Sequence, residues 1–203
     1  MHSQGDKTPR TERGRKTLRK LLDAAATEFA DKGFHEASIS GITRSAGVAL
    51  GTFYTYFDSK DAIFRALVSD MSSGVAQAAR EALDPAMGAL EIERVALRAF
   101  LSFAAEHKEI YRIIDEAEFV DPENYRAHYE TTGARIEERL RVGGESGEFA
   151  QGLGSTEAWA LMGMNVFLGL RYVIWAREGD PDFDDIAARA NDLLAHGIGA
   201  ARS

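Results

Sequence analysis

The 203-residue sequence predicts an all-α protein, a trihelical unit in front of a larger helical bundle. Three observations carry this. Apolar residues recur at three- and four-residue intervals along most of the chain. Helix-start and helix-stop residues punctuate it regularly. No segment shows the strict alternation of a half-buried strand, and no internal repeat is visible.

Leu18, Leu21, Leu22, Ala25 and Phe29 share one face of a first helix of roughly four turns, and Gly33 stands where a left-handed C-cap is wanted. Ser38 caps a short second helix, ISGITRSA, which ends at Gly47. A third helix runs over Leu50–Tyr56. Asp58 or Ser59 then caps a longer one, with Ile63, Phe64, Leu67, Val68 and Met71 along one face. Beyond it, three of the four prolines follow aspartate, at Asp84-Pro85, Asp121-Pro122 and Asp180-Pro181. Aspartate at the N-cap with proline at the first helical position opens a helix, because the missing N–H is not needed there. Helices are accordingly expected over about 86–106, 108–119, 122–142, 155–178 and 182–200, with a glycine-rich loop from Arg141 to Ser155 that matches no phosphate-binding pattern.

With 45% hydrophobic residues the chain can bury a sizeable core. The absence of cysteine excludes a disulfide framework, thiolate metal sites and a cysteine nucleophile, and fits a cytoplasmic location. The N-terminal MHSQGDKTPRTERGRKTLRK has no apolar core for a signal peptide, and residues 1–16 read as a basic flexible arm. The longest apolar run, Ala158–Ala176, contains Asn165, Arg171 and two glycines, and reads as a buried helix rather than a membrane span. The net charge of −8 conceals a polarity: residues 1–60 hold 10 Lys/Arg against 7 Asp/Glu, and residues 61–203 hold 14 against 25. A basic end on an acidic body suggests that the N-terminal part meets a polyanion; the alternative is a solvated tail.

Two short helices joined at AGVA match the helix-turn-helix arrangement, in which the second helix enters the major groove of double-stranded DNA. Phe53 and Phe57, four residues apart, share one face and are expected to pack inward, leaving Tyr54, Thr55 and Tyr56 largely outside. With these residues in view, the stretch from about Thr17 to Met71 resembles the DNA-binding domain of the TetR/AcrR family of transcriptional regulators. The segment SISGITRSAGVALGTFYTYFDSKDAIF carries its capped helix, AGV, GTFY, aromatic pair and SK. The resemblance implies Ser40, Leu50, Gly51, Thr52 and Thr55 near bases, and Tyr54, Tyr56 and Lys60 at phosphates. Three residues depart from the family's pattern. Ala49 replaces the usual serine or threonine cap, Gly41 stands where an acidic residue is common, and Leu50 offers only apolar contact.

Domains are expected at 17–59 for the helix-turn-helix and 60–203 for a ligand-binding and dimerisation bundle. One recognition helix reads few base pairs, so a homodimer on a palindromic operator is expected, with the half-sites roughly 34 Å apart. The resemblance implies that the last two helices form the dimer interface and that the bundle holds an inducer pocket. Pocket candidates are Phe103, Tyr111, Phe119, Tyr125, Tyr129, Trp159, Asn165, Arg171 and Trp175, which suit a small apolar or acyl-type ligand of unknown identity. The expected function is a repressor that this ligand releases from DNA. No histidine pair has metal-ligand spacing on a helix and no serine sits in a nucleophile elbow, so no catalytic residue, metal or cofactor is expected. The alternative is a helical protein-interaction module that does not bind DNA specifically.

Overall fold

The computed structural model describes residues 9–196, which are helical without a strand. In chain order the described helices are α1 (Glu12–Glu36), α2 (Ile39–Ala46), α3 (Leu50–Tyr56), α4 (Lys60–Ala82), α5 (Ala89–Glu106), α6 (Glu109–Val120), α7 (Pro122–Ser146), α8 (Ser155–Gly169) and α9 (Phe183–His196). They form two compact units. The first holds residues 9–71 together with Glu109–Arg126; the second holds Ser72–Lys108 and residues 127–196. Residues 60–71 and 109–126 are thus grouped with the first unit.

In the first unit, α1 starts earlier than the apolar pattern indicated. The Thr11 hydroxyl oxygen accepts the Gly14 amide at 3.1 Å, so residues 12–16, expected in the arm, form helical turns instead. Residues 1–8 of that arm lie outside the described residues. At Gly33 the backbone takes φ 78°, ψ 165°, which is open essentially only to glycine and is not the left-handed helical cap expected there. The turn that follows returns the Ala37 amide to the Gly33 carbonyl at 3.1 Å. The second and third helices keep their expected bounds. The Ser38 hydroxyl accepts the Gly41 amide at 3.0 Å, Gly47 is left-handed at φ 65°, ψ 36°, and the Ser59 hydroxyl accepts the Ala62 amide at 3.1 Å.

The first core gathers Leu21, Phe29, Ile42, Phe53, Ile63, Phe64 and Leu67, all fully buried. Phe29 and Phe34 both meet Phe64 edge-on, at centroid distances of 5.1 and 5.0 Å. On α6 the apolar Ile110, Ile113, Ile114 and Ala117 recur at three- and four-residue spacing and are buried, with the helix packed on α1.

In the second unit, Ile136 and Leu140 of α7 pack with Ala158, Leu161 and Met162 of α8. Buried Glu93 of α5 meets Arg139 of α7 through two hydrogen bonds of 2.5 and 3.0 Å. Of the three Asp-Pro pairs, one opens a helix as expected: α7 begins at Pro122. At Asp84-Pro85 the Asp84 carbonyl accepts the Met87 amide at 3.0 Å, closing a turn, and α5 starts only at Ala89, whose amide is taken by the Glu148 carboxylate at 2.8 Å. At Asp180-Pro181 the aspartate pairs with Arg171 instead, and Asp182 accepts the Asp185 amide at 2.9 Å to start α9.

The expected glycine-rich loop is partly helical, because α7 continues through Gly143 and Gly144 to Ser146, and the Phe149 ring lies over Gly143 where a side chain would stand. The apolar run after Ser155 also departs from a single regular helix. It widens into a π-helical turn over Leu170–Ile174 and ends at Trp175, whose amide returns to the Leu170 carbonyl at 2.9 Å. The last helix is described only to His196, so its expected extension to residue 200 lies outside the described residues.

Candidate nucleic-acid interface

Helix α3 divides its residues between two environments. Phe53 is fully buried and Phe57 nearly so, their rings 5.7 Å apart, while Leu50 is 50% and Tyr54 48% exposed. Gly51 and Thr55 are also exposed, and Thr52 and Tyr56 half-buried. Ser40, on α2, is exposed as well. Burial of the two phenylalanines thus fixes which side of a seven-residue helix faces solvent. The Thr55 hydroxyl donates to the Gly51 carbonyl at 3.2 Å. Ala49 supplies no side-chain cap to α3.

Two residues expected at phosphates have partners within the protein. Tyr56 donates its hydroxyl to the Gly14 carbonyl of α1 at 3.3 Å, which ties the end of α3 to the start of α1. Lys60 donates to the carbonyls of Phe34, His35 and Ala37 at 2.6, 3.0 and 2.9 Å. An ammonium has three N–H groups, and all three are committed here. In this geometry Lys60 binds the end of α1, with its charge over the Phe34 ring at 4.7 Å.

The departure at Gly41 also has a structural reason. Buried Glu28, from α1, accepts the Ser38 amide at 3.2 Å and the Lys32 ammonium at 2.8 Å, and a Cβ on Gly41 would lie 2.1 Å from its Oε1. An acidic group therefore does stand at the start of α2, but it arrives from another helix. Burial pushes the Glu28 carboxyl up; Lys32 and Ser38 together outweigh it and hold the group below its ordinary value. A lowered carboxylate pKa gives stability that is full above the ordinary value of about 4.5 and is lost as pH falls through the folded value. Glu28→Gln should therefore melt lower at neutral pH and lose less than the parent between about pH 5 and pH 3. Parallel melting curves for the two proteins across that range would contradict this role.

The nine residues expected to line a ligand pocket fall in both units. Tyr111, Phe119 and Tyr125 belong to the first unit and the other six to the second. Phe119, Trp159 and Trp175 are exposed rather than turned inward, Phe119 at 81%. Arg171 forms a two-bond ion pair with Asp180 at 2.8 Å each, and so already has an acidic partner. Phe103 packs against Gly74 and the His107 ring, and Tyr129 lies against the α7–α8 core. Asn165 keeps a buried side-chain oxygen without a hydrogen bond. A depression of about 360 Å³ in the second unit, lined by residues including Leu140, Gly144 and Leu153, contains none of the nine.

Sequence reasoning missed Glu28, Gly14 and Glu116. Their contacts with Ser38, Tyr56 and Phe34 span 10, 42 and 82 positions, and no local pattern announces them.

Comparison with known proteins bears on these features. The family model for bacterial regulatory proteins of the tetR family matches residues 21–67. The HTH-type transcriptional regulator YdgC of Bacillus subtilis (strain 168) is 31% identical over 193 residues, covering 92% of this chain and 94% of that protein. The HTH-type transcriptional activator FasR of Mycolicibacterium smegmatis is 34% identical over 121 residues, covering 58% of this chain and 52% of that protein. The fold is similar to that of the transcriptional regulator FadR from Bacillus subtilis, solved in complex with stearoyl-CoA; the TM-score is 0.76 at 21% identity, over 89% of this chain and 99% of that one.

Proposed function

The chain belongs to the tetR family of bacterial regulatory proteins, and on that footing we propose that it is a cytoplasmic, homodimeric repressor that leaves a palindromic operator when a small apolar or acyl-type ligand binds. The observation that carries the reading is the division of α3, with Phe53 and Phe57 in the core and Leu50, Tyr54 and Thr55 outside. Ser40, Leu50, Gly51, Thr52 and Thr55 are assigned to base edges and their surroundings, where Leu50 suits a thymine methyl. Tyr54 is assigned to a phosphate. With few long polar side chains facing the bases, much of the affinity comes from backbone contacts and the basic N-terminal segment.

The exposed Phe167 and Trp175, with Leu193 and Leu194 of α9, support self-association through the last two helices. A dimer presents two copies of α3 to a twofold-symmetric site. Among the described residues no helix is long and apolar enough to cross a membrane. The ligand class rests on the aromatic content of the bundle and on the FadR structure holding stearoyl-CoA. A ligand that prefers a state with wrongly spaced recognition helices weakens DNA binding, and DNA weakens ligand binding by the same factor.

The test is operator titration with the Tyr54→Phe variant, which removes one hydroxyl donor and leaves the ring. Its Kd should rise about 2- to 10-fold, the worth of one hydrogen bond, with sequence preference unchanged. An unaltered Kd at physiological salt would remove Tyr54 from the interface. Addition of stearoyl-CoA in the same titration tests the acyl-type ligand, which predicts release of the duplex.

A further inference from the structure

The first turn of α1 stands ahead of the core. Leu21 is the first buried residue of that helix, and Glu12, Arg13, Arg15 and Lys16 are exposed. The Thr11 cap on the Gly14 amide and the Arg15–Glu12 pair are local, so they move with the turn. Tyr56 reaches it from 42 positions away: this last residue of α3 donates its hydroxyl to the Gly14 carbonyl at 3.3 Å. Gly14 is the point on which these groups converge. A Cβ there would lie 2.8 Å from Pro9 Cβ, 3.2 Å from Thr11 Oγ1 and 3.6 Å from the Tyr56 hydroxyl oxygen. The chain entering α1 therefore folds onto the same residue that Tyr56 holds.

Charge gives this tether its consequence. Residues 9–20 carry six Lys/Arg and one acidic residue, Glu12. Arg15 and Lys16 pair with Glu12, and Arg19 pairs with Asp23 and Asp70. Arg10 and Arg13, on either side of the Thr11 cap, are exposed and form no ion pair with a described residue. Like charges crowded into adjacent turns repel one another, and a helix end without buried contacts frays. We propose that Tyr56 is a positioning residue for DNA binding: its hydroxyl fixes the first turn of α1 to the end of α3, and so places Arg10 and Arg13 at phosphates beside the groove that α3 enters. The two outer tyrosines of α3 then act differently. Tyr54 meets a phosphate itself, whereas Tyr56 holds the segment whose cations do. The proposal rests on the operator-binding reading above and names the residue that brings charge to the duplex.

The slope of log K against log salt reads the number of phosphates neutralised, at about 0.9 per contact on duplex DNA. The full chain and its variants are titrated with a duplex recovered by selection from a random pool. Arg10→Ala and Arg13→Ala should each lower the slope by about 1. Tyr56→Phe leaves the charge of the protein unchanged, yet should lower the slope by about 1 to 2, with base preference as in the parent. In the Arg10→Ala/Arg13→Ala background, Tyr56→Phe should change neither slope nor Kd further, because the cations it places are gone. A hydroxyl bound directly to phosphate brings no charge. It would weaken binding equally in both backgrounds and leave the slope at the parent's value, and that result overturns the proposal. The two arginines are exposed, so their variants fold whatever becomes of Tyr56→Phe, and a parental slope in both overturns the proposal by itself. A parent that binds no duplex removes the operator reading, an outcome distinct from binding with an unmoved slope.

Discussion

Phe53→Ala should abolish operator binding by melting the first unit, at a cost of about 3–5 kcal/mol for a large aromatic removed from a packed core. Phe53 is fully buried, and it holds α3 between Phe57 and the rest of the first core. Tyr54 is its neighbour in sequence and stands half outside, so Tyr54→Phe should change stability by no more than about 0.5 kcal/mol while weakening DNA binding. Thermal melts and operator titrations on the same two proteins separate the two sides of the helix. A Phe53→Ala protein that melts and binds like the parent would contradict the assignment of that face to the core.

Lys60→Ala should act through stability. Its ammonium makes three charge-assisted hydrogen bonds to main-chain carbonyls, two of them partly buried contacts with Phe34 and Ala37. Loss of such a donor costs about 2–4 kcal/mol when acceptors are left unmet. The salt dependence of operator binding, measured on the fraction that stays folded, should keep the parent's slope. A phosphate-binding lysine would behave in the opposite way, lowering the slope by about 1 with little effect on melting. That pattern would restore Lys60 to the interface.

The contrast between these residues shows what was legible in the sequence. The second and third helices and the inward phenylalanines were readable because each depends on neighbours within a few positions: Ser38 on Gly41, Gly47 on its own φ, Phe53 on Phe57. The start of α1 was missed although its cap is local, since the charge of the segment concealed the threonine. Asp84-Pro85 failed as a helix signal because the actual α5 start is stabilised by Glu148, 59 residues on. The placement of α6 with the DNA-binding helices depends on Arg112 and Glu116 meeting residues 82 positions away, which no periodicity encodes. The aromatic set named for the pocket was a compositional inference. Ring content does not specify which rings face a cavity, and three of these stand at the surface.

Selection of bound duplexes from a random pool by the full chain, repeated at two salt concentrations, decides between operator binding and its alternative. Enrichment of a palindrome whose half-sites lie one or more helical turns apart is expected, with affinity falling steeply as salt rises. Failure of the folded protein to enrich any sequence, with salt-insensitive binding to a protein partner, would contradict the operator-binding reading and favour a helical protein-interaction module.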